Sequence, residues 1–239
     1  MIVMVRVPSN TDQNMKVGLI VAMESEFKAL SAALENAVAI GDNMVEGTLG
    51  VNEIVLVRSG IGKVNAALRA SDLIRDRRPD CIISSGCAGG LAPHVHVMSV
   101  VVAAKTAYHD VWCGQPNDYG QVQGLPLYFE ASQSLLKASE GKEGIHVGLI
   151  CTGDQFLEAG EAAGKVLNNF PDALAVDMES AAIAQTCHLA GVPFMSMRVI
   201  SDSVADSDRE QAYNDFWKNV SDRSTATLKA VLESLPSAI

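Results

Sequence analysis

The segment ALAVDMESAAIAQTCHLAG, residues 173–191, joins the two patterns that decide the fold class. Its first four residues are apolar and lead to Asp177, as expected for a strand that is buried on both faces. Residues 180–191 have the composition of a helix, and Gly191 followed by Pro193 is a C-terminal stop signal. A buried strand followed directly by a helix is the building unit of α/β proteins.

The same unit recurs along the chain, because short apolar runs alternate with helix-like periods. The runs are residues 16–23, 53–60, 81–89, 99–104, 146–153, 173–179 and 193–202. This alternation predicts a single α/β domain with a mixed, mostly parallel central β-sheet flanked by helices. Residues 38–52 are predicted to form turns and a short hairpin, which makes the sheet mixed. The domain is expected to span residues 15–239, after an N-terminal extension of residues 1–14.

Several segments between the runs have the apolar period of amphipathic helices. A final helix is predicted from about residue 209 to residue 235. The buried helix faces are predicted to carry Phe27, Leu30 and Leu34 in residues 25–35, and Val64, Leu68 and Leu73 in residues 63–76.

The composition excludes several classes of partner. The formal net charge is −10, and no block of Lys and Arg is longer than residues 75–78. Nucleic acid and anionic membrane surfaces are therefore not expected partners. No window approaches the 18 or so apolar residues of a membrane span, and no signal peptide is predicted. The five cysteines form no CxxC motif, which predicts free thiols in a reducing cytoplasm.

Two glycine-rich segments follow apolar runs. SGIGKVNA, residues 59–66, lacks the spacing of a P-loop and the third glycine of a dinucleotide-binding motif. It is either a plain turn or a helix start whose free N–H groups suit an oxygen-rich ligand. SSGCAGGLAP, residues 84–93, offers a wall without bulky side chains, along which a flat ligand can lie. Cys87 within it is expected to be an inert buried thiol rather than a nucleophile.

The histidines give weak signals. His94 and His96 could share one face of a strand, but a metal site needs a third ligand that the sequence does not supply. No metal is therefore expected. Tyr108, His109 and Asp110 either line a pocket or belong to a loop whose polar groups are satisfied internally.

Carboxylates are the strongest chemical signal. Glu26 lies at a strand-to-helix junction, and Glu179 and Asp202 each end an apolar run. A carboxylate in such a place loses solvation unless it is paired, and Arg198, four residues before Asp202, is a candidate partner. Because ligands of α/β sheets bind beyond the carboxyl ends of strands, we expect the three acids to converge. Such a group suits acid–base chemistry on a substrate that becomes cationic.

Seven segments, in the order and at the spacing of one family, resemble the 5′-methylthioadenosine/S-adenosylhomocysteine nucleosidases of the nucleoside phosphorylase superfamily. They are VGLIVAMESE (17–26), RSGIGKVNAA (58–67), SGCAGGLAP (85–93), YHD (108–110), TGDQFL (152–157), VDMES (176–180) and RVISD (198–202). The resemblance implies hydrolysis of the N-glycosidic bond of a 5′-thio-substituted adenosine, as in methionine salvage.

The resemblance also implies roles for individual residues. Asp202 would protonate adenine N7, Glu26 would activate the attacking water, and Glu179 would accept hydrogen bonds from the ribose hydroxyls. The implied substrate-binding residues are Ile61, Ala88, Gly89, Phe156, Leu157, Met178, Arg198 and Ser201, with Phe156 stacked on adenine and with Ser201 and Arg198 supporting the acids.

Acids and water suffice for this hydrolysis, so no cofactor is expected. The family likeness further implies an adenosine thioether as the small-molecule substrate, a homodimer, and a partner subunit that closes the 5′-substituent pocket. A purine nucleoside phosphorylase, a futalosine-type hydrolase and a non-catalytic purine-nucleoside sensor are the alternatives. Three departures from the family pattern are Cys87, where Ser or Thr is expected, Asp177, where Glu is commoner, and the unfamiliar residues 110–129.

Overall fold

A computed structural model of the chain describes residues 14–157, 161–203, 216 and 221–235. Its strands and helices, in chain order, are β1 (Lys16–Val21), α1 (Glu24–Ala33), β2 (Glu35–Gly41), β3 (Met44–Leu49), β4 (Asn52–Arg58), α2 (Lys63–Arg77), β5 (Cys81–Gly90), β6 (Val100–Tyr108), β7 (Phe129–Glu130), α3 (Gln133–Lys137), β8 (Ile145–Thr152), α4 (Glu161–Asn169), β9 (Ala173–Asp177), α5 (Ser180–Ala190), β10 (Phe194–Ser203) and α6 (Ser221–Leu232). The predicted extension lies outside the described residues except for Asn14, as does most of the predicted last helix before residue 221.

The strands form one mixed sheet flanked by helices, which confirms the predicted fold class. Its order is β10-β6-β8-β9-β5-β1-β4-β3-β2, and β7 pairs with β6. The predicted hairpin is the antiparallel pair β2–β3, which continues into β4. The strands β4, β1, β5 and β10 pair in parallel, so their carboxyl ends share one edge.

The sheet also closes on itself at one side. Strand β10 pairs with β5 as well as with β6, so β5, β10, β6, β8 and β9 form a ring of paired strands. Small and β-branched side chains fill a buried cluster between these strands: Ala88, Val95, Val101, Ala103, Ile150, Ala175 and Ile200. This closure brings Asp202 opposite Gly89, and Thr152 opposite Asp177, in neighbouring ladders.

The helix faces confirm one prediction and correct another. Leu30 of α1 is buried, with Phe27 and Leu34 partly buried against the same core. In α2, however, Val64 and Leu68 are 78% and 56% exposed.

The buried face of α2 consists of Leu73, as predicted, together with Ala66 and Ala70 in place of Val64 and Leu68. Ala66, Ala70 and Leu73 also follow the helical period, and the small side chains of the two alanines let α2 pack closely on the alanine-rich α5. The prediction chose the larger residues Val64 and Leu68 for the buried face, whereas close packing of the two helices favours alanine at the contact.

No helix in the described part of the chain is long and apolar enough to cross a bilayer. The five cysteines are unpaired; Cys81, Cys151 and Cys187 are buried, and Cys113 is exposed.

Candidate active site

A cavity with about 750 Å³ of empty space, partly open to solvent, lies at the carboxyl edge of the parallel strands. Every site residue predicted from the sequence lines it, with the exception of Arg198. The lining residues are Ala22, Met23, Glu26, Ile61, Ser85, Gly86, Cys87, Ala88, Gly89, Gln155, Phe156, Leu157, Val176, Asp177, Met178, Glu179, Ser201 and Asp202.

Glu26 reaches the cavity from the first turn of α1. One carboxylate oxygen accepts the backbone N–H groups of Ala22 at 3.2 Å and Met23 at 2.9 Å, and the other accepts that of Cys87 at 3.2 Å. Burial raises the pKa of Glu26, while these N–H donors and the charge of Arg198 act in the opposite direction. A Cβ at position 86 would lie 3.0 Å from Glu26 Oε1, so Gly86 makes room for the carboxylate.

Glu179 lies at the start of α5, directly after β9. Its Oε1 accepts the N–H of Gly62 at 2.9 Å, and its Oε2 lies 3.9 Å from the guanidinium of Arg198. Burial, followed by the negative charge of Asp177, raises the pKa of Glu179 to about 7, although Arg198 and the Gly62 N–H favour the charged form. A side chain so balanced can hold or release a proton near neutral pH.

Arg198 lies behind the cavity and pairs with Asp177, which corrects the predicted pairing with Asp202. Its Nε donates to Asp177 Oδ2 at 2.8 Å and its Nη2 donates to Ser84 Oγ at 2.9 Å. The Cα atoms of residues four apart on a strand are about 13 Å apart, and the Arg198 guanidinium is directed to Asp177 and Ser84 rather than along the strand to Asp202. The hydroxyl of Thr152 also donates to Asp177, at 2.5 Å. Asp177 is therefore the centre of a buried network that holds Arg198 close to Glu179.

Asp202 is 1% exposed near the end of β10, beside Gly89 of β5. The register of these strands shifts between Ile200 and Asp202. The neighbouring Ser201 hydroxyl lies 2.6 Å from Asp202 Oδ1 and donates to it. Position and partner together place a buried carboxyl group against the glycine-rich wall of the cavity.

Residues 153–157, which we call the base loop, contribute Gln155, Phe156 and Leu157 to the cavity wall. Phe156 is 57% exposed at its mouth, and Leu157 is buried. The loop is fixed by three side chains, the Lys63–Asp110–Asp154 cluster. Lys63 Nζ donates to both Asp110 oxygens at 2.8 and 2.7 Å, the N–H of Asp154 donates to Asp110 at 2.9 Å, and the N–H of Lys63 donates to Asp154 at 2.8 Å.

The free N–H groups at the start of α2 thus donate hydrogen bonds to carboxylates of the protein itself. Gly62 donates to Glu179 and Lys63 donates to Asp154. The sequence predicted either a plain turn or a site for an oxygen-rich ligand. In the structure, this turn instead positions Glu179 of the cavity and Asp154 of the base loop.

Tyr108, His109 and Asp110 do not line the cavity. The alternative of an internally satisfied loop holds for Asp110, whereas Tyr108 ends β6 and His109 Nε2 is buried without a hydrogen-bond partner among the described residues. Asp110 belongs to the Lys63–Asp110–Asp154 cluster, and the buried His109 packs against Gly153, where a Cβ would lie 2.5 Å from Nε2. His94 and His96 are exposed. Among the described residues, no group of three or more His, Cys, Asp or Glu side chains is arranged to hold a metal.

Sequence reasoning missed some wall residues, among them Met23, Gln155 and Val176. Each lies within a segment that already carried an assigned residue, so position within the motif was the available signal. Lys63, Asp110 and Asp154 also lie within quoted segments, but their contact left no sequence signal, because Asp110 and Asp154 are 47 and 91 residues from Lys63 in the chain.

Comparisons with known proteins agree on one family. A family model described as the phosphorylase superfamily matches residues 16–235. Solved structures of 5′-methylthioadenosine/S-adenosylhomocysteine nucleosidases are also similar. The protein from S. pneumoniae, solved with a transition-state inhibitor, MT-ImmA, is 36% identical with a TM-score of 0.86, over 93% of this chain and 100% of that chain.

Two further relatives are equally similar in fold. The nucleosidase from Neisseria meningitidis, in complex with methylthio-immucillin-A, is 38% identical with a TM-score of 0.85, over 92% of this chain and 100% of that one. The nucleosidase from Colwellia psychrerythraea, in complex with adenine, is 32% identical with a TM-score of 0.86, over 95% and 98%.

Proposed function

The chain belongs to the 5′-methylthioadenosine/S-adenosylhomocysteine nucleosidases of the phosphorylase superfamily, and we propose that it hydrolyses the N-glycosidic bond of both nucleosides. The products are adenine and the corresponding 5-thioribose. Similar solved proteins carry this activity in their names and hold adenine or adenosine-like inhibitors. An adenosine thioether is therefore the small-molecule substrate.

The observation that carries the proposal is the charge of the cavity wall. Four carboxylic acids line it, namely Glu26, Asp177, Glu179 and Asp202, and no Lys, Arg or His does so among the described residues. Cleavage of a C1′–N9 bond builds positive charge on the ribosyl ring, and fixed negative groups stabilise that charge. The cavity suits a sugar that becomes cationic.

The acids divide the reaction between them. As the C1′–N9 bond breaks, its electron pair leaves with adenine, and a proton from Asp202 passes to N7. Water adds to C1′ from the other face and gives its proton to Glu26, while Glu179 accepts hydrogen bonds from the ribose hydroxyls. Phe156 stacks on the base, and the small residues Ala88 and Gly89 lie along it.

Water is favoured over phosphate as the nucleophile for the same electrostatic reason. Arg198, a cation that lies close behind the cavity, is already paired with Asp177 at 2.8 Å. A phosphate dianion at 4 Å from one carboxylate would be repelled by roughly 8 kcal/mol at an effective dielectric constant of 20. This argues against the phosphorylase alternative.

The test is the release of free base from a panel of nucleosides with and without phosphate. We expect adenine from 5′-methylthioadenosine and S-adenosylhomocysteine at equal rates in both buffers, and little base from inosine, guanosine or futalosine. Turnover that requires phosphate would identify a phosphorylase. Tight binding of the nucleosides without base release would identify a sensor.

We further propose a homodimer that works in a reducing cytoplasm. Ile61 at the cavity mouth is 52% exposed, and Val64 and Leu68 of α2 continue from it as an exposed apolar strip. A second copy on this strip would bury it and narrow the mouth of the cavity. The five unpaired thiols agree with a reducing compartment.

A further inference from the structure

A second depression adjoins the cavity, and we call it the rim groove. It shares Ala22, Met23 and Ile61 with the cavity, so the two are continuous past these apolar side chains. Its remaining walls come from the start of α1, the turn between β2 and β3, the end of β4 with the turn that follows it, and the start of α2: Glu24, Asn43, Arg58, Ser59, Gly60 and Asn65.

The rim groove differs from the cavity in its charge. Arg58 Nη1 donates to Glu24 at 2.6 Å, and Nε and Nη2 donate to Asn43 Oδ1 at 2.8 and 2.5 Å. Glu24 is also paired with Lys28 at 2.8 Å. Among the described residues, two cations, Lys28 and Arg58, thus pair with the single carboxylate of Glu24.

Arg58 is held in place but not enclosed. Its side chain is 29% exposed, and Asn43 fixes one edge of the guanidinium while Glu24 takes Nη1. An exposed guanidinium that is already oriented can bind a carboxylate with less loss of side-chain entropy than a free one. An ordinary surface ion pair between Arg58 and Glu24 would not need the additional hydrogen bonds from Asn43, which lies 15 residues earlier in the chain.

The two substrates of the proposed reaction differ only beyond the 5′-sulfur. One carries a methyl group, and the other carries a homocysteine chain that ends in an α-carboxylate and an α-ammonium. The carboxylate cannot remain in a cavity lined by acids, because like charges in a partly dry site repel strongly. The homocysteine chain of the substrate must therefore leave the cavity past the apolar side chains at its mouth. Met23 and Ile61 provide an apolar surface along which the thioether and its methylene groups can pack.

We propose that the rim groove is the subsite for the α-amino acid group of S-adenosylhomocysteine. In this arrangement Arg58 binds the α-carboxylate and Glu24 binds the α-ammonium, so that the zwitterion completes a cluster of alternating charges. The inference rests on the proposed function and deepens it, because it assigns recognition of one substrate to residues that the other does not need.

The test compares kcat/KM for S-adenosylhomocysteine with kcat/KM for 5′-methylthioadenosine in the same preparation of each variant. Arg58→Gln removes the charge, and we expect the ratio of the two values to fall about tenfold, as for the loss of a charge-assisted hydrogen bond. The change should lie mainly in KM. Arg58→Lys keeps the positive charge but lacks the planar guanidinium with its paired N–H donors, so it should restore part of the ratio of the two kcat/KM values.

Two controls separate charge recognition from general damage. Arg75→Gln removes an exposed, ion-paired arginine at the far end of α2 and should leave the ratio unchanged. 5′-Butylthioadenosine has a tail of similar reach without charge, and its kcat/KM relative to 5′-methylthioadenosine should be the same in wild type and Arg58→Gln. Added salt should lower kcat/KM for S-adenosylhomocysteine selectively.

Failure of the subsite and failure of the function give different results. If wild type cleaves both substrates and Arg58→Gln lowers both equally, or neither, the rim groove does not recognise the amino acid group. If wild type cleaves 5′-methylthioadenosine alone, the subsite is likewise refuted. If it cleaves neither, the proposed function is wrong and the subsite falls with it.

Discussion

At the scale of single residues, the environment of Glu179 disfavours the ionised form of its carboxyl group. Only 7% of the residue is exposed, and the carboxylate of Asp177 is close. Because the pKa of Glu179 is raised from 4.5 to about 7, the folded chain keeps a proton that the unfolded chain releases between these values. This group therefore stabilises the fold fully below about pH 4.5 and loses that contribution as the pH rises through 7.

Glu179→Gln is expected to remove this dependence on pH. Glutamine keeps an oxygen that accepts the Gly62 N–H but cannot ionise. The free energy of unfolding of the variant, minus that of wild type, should therefore be more favourable to the variant at pH 8 than at pH 5. The difference is on the order of 3 kcal/mol in the free energy of unfolding, measured by urea denaturation at both pH values.

An exposed glutamate supplies the control for that measurement. Glu53→Gln on β4 should leave the pH dependence of stability as it is in wild type. If Glu179→Gln also left it unchanged, Glu179 would ionise alike in the folded and unfolded chain, and the effect of burial inferred from the structure would be wrong.

Asp202 is expected to act on the leaving base rather than on binding. Asparagine at this position can still accept the Ser201 hydroxyl, which lies 2.6 Å from Oδ1, but it has no acidic proton to give to N7. Asp202→Asn should lower kcat by a factor of about 100 or more, as for the loss of a general acid. Binding of a non-hydrolysable analogue should change little.

The control here is Asp42→Asn, an exposed position in the turn between β2 and β3, which should keep wild-type turnover. Near-normal turnover in Asp202→Asn, measured as adenine released from 5′-methylthioadenosine, would mean that another group protonates the base.

At the scale of elements, the Lys63–Asp110–Asp154 cluster joins α2, the end of β6 and the base loop. Asp110→Ala removes the partner of Lys63 Nζ and the acceptor of the Asp154 N–H. The base loop must then be ordered by the substrate itself, so we expect KM for 5′-methylthioadenosine to rise about tenfold, with a smaller loss in kcat.

Asp118→Ala provides the matched change, since Asp118 is an exposed aspartate in the same connection and its side chain lies outside the cluster. Initial-rate kinetics on both variants, with melting temperatures, would separate the effects. A loss in kcat alone, or an equal rise of KM in Asp118→Ala, would show that Asp110 does not position the base loop.

The elements also show what the sequence can reveal. Strands such as β5 and β10 were predicted because an apolar run of strand length has few alternatives once Gly or an acid ends it. For the buried face of α2, Leu73 was predicted correctly but Val64 and Leu68 were not, because periodicity does not tell whether alanine or a larger residue meets the neighbouring helix. The pairing of Arg198 with Asp177 spans 21 residues and depends on the order of strands in the sheet, which no local pattern encodes.

At the scale of the whole molecule, closure of the sheet is what assembles the site. Because β10 pairs with β5 while β5 also pairs with β1 and β9, the ends of four strands meet round one cavity. The acids that the sequence placed after separate apolar runs converge for this reason. Their convergence was predictable from the rule that ligands bind at strand ends, whereas the ring of strands was not.

The last prediction concerns assembly. Ile61, Val64 and Leu68 expose an apolar strip that runs from the cavity mouth along α2, and exposed fractions of 52%, 78% and 56% are costly for a lone subunit. We expect sedimentation velocity to give about twice the mass of the chain. The double variant Val64→Asp with Leu68→Asp should sediment as a monomer, because two buried carboxylates oppose an apolar contact.

Loss of the second copy should also weaken the site, since Ile61 lies both on the strip and in the cavity wall. The monomeric double variant is therefore expected to show a raised KM for 5′-methylthioadenosine at unchanged secondary structure by circular dichroism. Val38→Asp, which places the same charge on the exposed apolar residue of β2, should remain dimeric and active. A wild-type monomer, or a double variant that is still dimeric, would show that this strip is not the surface on which two copies meet.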